Sequence, residues 1–231
     1  MKARLLAWTC AGLVVTLTVV VSVVALSEGV GEPYDIVWGT LPVLFAGTAL
    51  LILNKQADHA VGWVMMVLAV GGSVSGAADA FVATMEGPPE TLTFLTWLSL
   101  GFNNFGWVFL IYPLFHLLLV FPTGRLLSPR WRFFVVLEVV MVSIMVIASL
   151  FNEQIGPLDG PWVVPNPVGF VPTDFFGDTF FAWWGSGLFV MAIGGLASVV
   201  VRFVDGRRFQ KRRLAESAST HVEERRGVKT E

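Results

Sequence analysis

The sequence predicts an all-α fold: an integral membrane bundle of six transmembrane helices with both termini in the cytoplasm. Composition is the first observation. Of the 231 residues, 55% are hydrophobic and 14% charged, whereas a soluble domain carries roughly a quarter charged residues. The mean hydropathy is +0.72. The second observation is segmentation, because apolar runs recur at the length of about 20 residues that spans a hydrocarbon layer. The third is the placement of charge. All 15 Lys and Arg residues fall in alternate gaps: Lys2 and Arg4, then Lys55, then Arg125, Arg130 and Arg132, then the tail from Arg202 to Lys229. The gaps near 27–36, 86–92 and 152–178 hold none of them but carry nine of the 17 acids. Basic residues are retained on the cytoplasmic side, so the alternation predicts orientation as well as count.

The spans follow in order at about 5–26, 37–53, 61–83, 94–121, 133–151 and 179–201, making a transmembrane domain of 1–203 and a basic, then disordered, cytoplasmic tail of 204–231. The first span reads as an anchor, since Leu5 to Leu26 exceeds the apolar core of a signal peptide. The fourth is long for one crossing. It must tilt or lie partly along the outer interface, and Pro113 is expected to kink it. Trp38, Trp97, Trp183 and Trp184 fall at expected outer ends and Trp8, Trp63 and Trp131 at inner ends, as in the aromatic belts of a bilayer protein. Gly72 and Gly76, and Gly187, Gly194, Gly195 and Ser198, put small residues on helix faces where backbones approach closely. The apolar runs are continuous rather than alternating, which excludes a β-barrel.

Asp79, His116 and Glu138 interrupt the spans, and an ionisable group in hydrocarbon is a functional candidate by default. Asn103 and Asn104 join them as groups that hydrogen-bond across helices. His116 and Glu138 each lie about 7–8 Å from the inner ends of adjacent spans. They are expected to meet, or to reach Arg125 or Arg132. A structural ion pair comes first, a pH-sensing element second and a transport site third. The outer loop 152–178 is rich in Pro and aromatics and reads as a lid folded onto the bundle, or alternatively as the wall of a ligand cleft. There is no phosphate loop, nucleophile elbow or zinc motif, and Cys10 is the single cysteine. No catalytic residue, cofactor or metal is expected. Topology accounts for the basic residues, so nucleic acid is not an expected partner.

The inner loop reads Phe121-Pro122-Thr123-Gly124-Arg125, followed by Ser128-Pro129-Arg130-Trp131-Arg132. Pro122 and Gly124 turn the chain, and Arg130, Trp131 and Arg132 anchor the next span. This run resembles a motif of the multispan input regions of actinobacterial sensor histidine kinases. His59-Ala60-Val61-Gly62-Trp63 and Asn166-Pro167-Val168-Gly169 resemble two further motifs in the same order, with Ala60 where those kinases carry proline. The resemblance covers about 54–215 and stops before any phospho-accepting helix or ATP-binding domain. It implies a non-enzymatic sensory or accessory module of a bacterial inner membrane, signalling through helix contacts with a membrane protein partner or a second copy. The alternative is a small permease using Asp79, His116 and Glu138. Arg207, Arg208, Lys211, Arg212 and Arg213 follow the last span, where such clusters are drawn to anionic cytoplasmic lipid.

Overall fold

The computed structural model describes residues 2–28, 33–158 and 160–227, with the backbone alone for 28, 33–38 and 205–227. Among the described residues seven α-helices follow one another: α1 (Lys2–Glu28), α2 (Pro33–Lys55), α3 (Ala60–Ala83), α4 (Phe94–Phe105), α5 (Val108–Val120), α6 (Arg132–Leu150) and α7 (Asp178–Gly227). Among the described residues four segments, Lys2–Ser27, Ala60–Ala83, Pro129–Leu150 and Asp178–Val204, are long and apolar enough to cross a membrane. A fifth arises if α4 and α5 form one bent span, and Gly39–Lys55 of α2 is a shorter apolar helix. At most 33% of each long apolar window is buried inside the protein. These apolar helices therefore turn most of their surface outward, as a membrane protein's do. Of the six expected crossings they account for four, or five with the bent pair.

Packing follows from residue size. Ala7, Ala11 and Val14 of α1 are buried against Ala46, Ala49 and Leu53 of α2 and Met66 and Ala69 of α3, while Leu5, Leu6, Trp8 and Leu13 point outward. Small side chains at the seam let helices come close where no water drives them together. α3 is central and touches α1, α2, α4 and α5. A second cluster joins Phe105, Val108 and Tyr112 to Met141 and Met145 of α6 and Trp184 and Met191 of α7. Here the small residues of α7 act inside the chain: Met141 covers Gly187, Phe134 covers Gly194, and a Cβ on Gly195 would lie 3.1 Å from Leu118.

The fourth expected span departs from its reading. It breaks at Gly106 and Trp107, where α4 and α5 meet at 49°, while Pro113 lies buried within α5. Proline removes the amide that would bond to Phe109, and the ladder tightens before it: Phe109 donates to Gly106 at 3.0 Å and Leu110 to Trp107 at 3.1 Å. At the bend Gly106 lies close against α3, where a Cβ would collide with Ser75 Oγ.

The 152–178 loop contains an antiparallel pair, β1 (Gln154–Ile155) and β2 (Val164–Pro165). Ile155, Trp162 and Val164 pack on Val82, Leu92, Trp97 and Leu100, so the loop folds back as a lid. At the other end, the α7 backbone stays helical to Gly227, where the sequence predicts a disordered end. Ala, Glu and Arg favour helix, and a helix already nucleated in a span extends readily. The side chains of Trp38, Arg207, Arg208, Lys211, Arg212, Arg213 and His221 lie outside what the structure describes.

Candidate functional site

Polar groups gather at two ends of the bundle. At the hairpin end, Ser75 and Asp79 stand one turn apart on α3, and the α4–α5 bend brings Asn103 opposite. Asn103 Nδ2 donates to Asp79 Oδ1 at 2.8 Å. Its Oδ1 accepts from the Leu158 amide at 2.8 Å. Asn104 Nδ2 donates to Leu100 O of its own helix at 2.7 Å and to Gly156 O at 2.8 Å. The two asparagines thus fasten the lid to the bundle. Asp79 is exposed and accepts its bond from a neutral amide. Among the described residues no Lys, Arg or His pairs with it, since the ion pair found there joins His116 and Glu138.

Two cavities flank Asp79. One, of about 420 Å³, lies between α1, α2, α3 and α5 and is walled by Val21, Leu41, Pro42, Gly72, Gly76 and Leu110. The other, of about 500 Å³, opens under the lid and is walled by Met85, Asn103, Trp107, Pro157 and Trp162. Ser75, Asp79 and Ala83 belong to both walls. The carboxylate therefore sits on the ridge between an apolar chamber and an aromatic one. Trp107 is oriented by its own Nε1, which donates to Asn104 O at 3.0 Å, and by an edge-on contact with Trp184 at 4.9 Å between ring centroids.

At the opposite end, α5 and α6 bring His116 Nδ1 to 2.8 Å from Glu138 Oε2, with side chains 25% and 12% exposed. An ionised Glu138 accepts from Nδ1–H, so each group answers the other within the protein. Arg125 and Arg132, the alternative partners, are exposed.

The inner-loop motif is gripped rather than presented. The Arg202 guanidinium of α7 donates through Nη2 to Leu119 O at 2.5 Å and Arg125 O at 2.6 Å, and through Nη1 to Phe121 O. Ser198 Oγ adds a bond to Leu119 O at 3.3 Å. These carbonyls end α5 and open the loop, where the helix ladder leaves acceptors free. Gly124 takes φ of +71°, a left-handed conformation that disfavours a Cβ. A Cβ there would also lie 3.4 Å from His59. Trp63 Nε1 donates to Ala57 O at 2.9 Å and closes the loop into α3. The first two motifs therefore pack on each other. Trp131 tilts against Phe134 with ring centroids 5.3 Å apart, while Phe121, Pro122, Arg130 and Arg132 are exposed. In the third motif, buried Asn166 donates to Leu150 O and Asn152 O at 2.8 Å each and accepts from the Val168 amide at 3.3 Å. All three motifs are fasteners of loops.

Sequence reasoning brought His116 and Glu138 together correctly and singled out Asp79 and the asparagines. It missed Arg202, which it read as the start of the tail. The available signal was its position inside Val199-Val200-Val201 and Phe203-Val204, an apolar run where a lone Arg needs partners. It also missed Ser75 and Trp107, which carry no spacing signature, whereas Trp162 belongs to the outer loop read alternatively as a cleft wall. Among the described residues, no group of three or more His, Cys, Asp or Glu is placed to hold a metal ion. No family model, curated protein or solved structure matches the chain.

Proposed function

We propose that this chain is a six-crossing protein of a bacterial inner membrane, with both termini cytoplasmic, that serves as a non-enzymatic sensory or accessory module. On this reading α1, α2, α3, the α4–α5 pair, α6 and α7 each cross, the hairpin end faces outward and the clasp end faces the cytoplasm. The alternating Lys and Arg gaps support that orientation. The observation that carries the signalling reading is the Arg202 clasp. It ties the α5–α6 loop to α7 at three carbonyls, just before α7 runs on through the basic cluster. A shift of α5 at its bend is thereby passed to α7 and to whatever binds the α7 extension, either a membrane protein partner or a second copy. Arg207, Arg208, Lys211, Arg212 and Arg213 hold the extension near anionic lipid, at about 1 kcal/mol each.

One labelling experiment tests both halves of this reading. With Cys10 replaced, Ser217→Cys should stay unreactive to an impermeant maleimide in intact cells and react once they are opened. Thr91→Cys should react already in intact cells. A photoactivatable maleimide on Ser217→Cys should then join one discrete partner, and Arg202→Ala should alter that yield. Reaction of Ser217→Cys in intact cells sinks the topology, and the lack of any discrete adduct sinks the signalling role.

A second reading, a small permease, is favoured by one observation. A carboxylate within a helix lies beside a broken span and two cavities, and transporters place substrate sites at discontinuous helices. Uptake into proteoliposomes that depends on Asp79 would establish it in place of the first.

A further inference from the structure

We infer that Asp79 is the anchor of a binding site for an amphiphilic organic cation, whose head lies against Trp107 and Trp162 and whose apolar tail fills the chamber between α1, α2, α3 and α5. The inference rests on the reading of the hairpin end as the receiving face. Three observations converge on it.

The first is charge. Asp79 accepts one hydrogen bond from a neutral amide and, among the described residues, no protein cation pairs with it. The gaps expected on that side contain no Lys or Arg and nine acids, so an incoming cation meets a favourable field and an anion an unfavourable one. The second is chemistry on one flank. The cavity of about 500 Å³ offers Trp107 and Trp162 beside the carboxylate, and an indole face attracts an alkylammonium through its quadrupole. The third is the other flank, a cavity of about 420 Å³ whose wall is mostly apolar, with Thr18, Ser73, Ser75 and Thr84 as its polar members beside Asp79. Gly72 lies seven residues before Asp79, so about 10 Å of helix separates the carboxylate from the depth of this chamber, enough for a chain of medium length. Both volumes fall in the range of small-molecule sites, about 300–1,000 Å³. A small metal cation would leave the apolar chamber unfilled, and a neutral lipid would leave the carboxylate unanswered.

The probe is octyltrimethylammonium, titrated calorimetrically into the full chain in lipid nanodiscs, with empty nanodiscs subtracted. Octanol and octyl sulfate carry the same tail with neutral and negative heads. The expected result is saturable binding of the cation alone. Asp79→Asn should weaken it tenfold or more, and Asp79→Glu should restore most of the affinity. Trp162→Ala should weaken it severalfold without touching the carboxylate, and thermal unfolding of each variant separates lost binding from a folding defect. Binding unchanged by Asp79→Asn overturns the proposal, as does octanol or octyl sulfate binding as tightly as the cation. A cation that binds through Asp79 yet leaves crosslinking of Ser217→Cys unchanged upholds the site and sinks only the signalling reading. Crosslinking that proceeds as expected while no cation binds does the opposite.

Discussion

The two ends of the bundle handle ionisable groups in opposite ways. At the clasp end, Arg202 meets three carbonyls and His116 meets Glu138 at 2.8 Å. At the hairpin end, Asp79 has one amide for a partner and a cavity on each side. A charge away from water is costly unless something answers it. Where the answer comes from the protein, the charge is part of the structure. Where the protein supplies half an answer and leaves space, the rest is open to a ligand. Depth alone, which ranks all three ionisable span residues as candidates, does not make that distinction.

The largest loss of stability is expected from Arg202→Ala. Hydrogen bonds to a charged donor contribute about 1.5–3 kcal/mol each, and of the three acceptors the Leu119 carbonyl is part-buried while those of Phe121 and Arg125 are exposed. The three share one side chain and will not sum, so a loss of about 3 kcal/mol is expected. Thermal unfolding in detergent measures it, and Arg202→Lys should recover only part, because one ammonium cannot reproduce the guanidinium fork. A loss below about 0.5 kcal/mol, the size of an ordinary surface substitution, would erase the contrast between the ends.

A smaller effect is expected at His116 and Glu138, since two side chains rather than four groups are involved. Glu138→Gln and His116→Ala should each destabilise, and the double variant should lose less than the sum, with a coupling of about 1–2 kcal/mol. Additive losses would show that the pair contributes nothing jointly, and would leave Arg202 alone to account for the closed end.

How much of this was legible follows from what a sequence encodes. Helix positions were readable because apolar length is a local property: spans expected at 133–151 and 61–83 match α6 (Arg132–Leu150) and α3 (Ala60–Ala83) closely. The His116–Glu138 meeting was readable because a short loop sets two antiparallel helices at a common depth. The break at Gly106 was not, because the close approach of Gly106 to Ser75 involves another helix, while Pro113 supplied a louder local signal about two turns away. Asn166 illustrates the same limit. Its motif was visible, but its two carbonyl partners, Leu150 and Asn152, lie across a loop whose closure no spacing rule specifies. The cavities beside Asp79 were invisible for the same reason, since empty space is a property of four helices together.

The smallest change in stability, and the sharpest test of the contrast, is expected at Asp79. The residue is exposed in the protein and makes one bond, in which its Oδ1 accepts from Asn103 at 2.8 Å. An asparagine in its place keeps an Oδ1 that accepts the same bond, and it removes a charge that no described residue neutralises. Asp79→Asn should therefore shift unfolding by no more than about 0.5 kcal/mol, and the shift should be toward greater stability if the uncompensated charge strains the fold. Two readouts on one variant make this decisive: near-constant thermal stability together with a loss of cation affinity of tenfold or more. Were Asp79→Asn instead to destabilise as strongly as Arg202→Ala, the carboxylate would be a structural group like those at the clasp end. Asn103 would then be its essential partner rather than a fastener of the lid, and the two ends of the bundle would obey one rule instead of two.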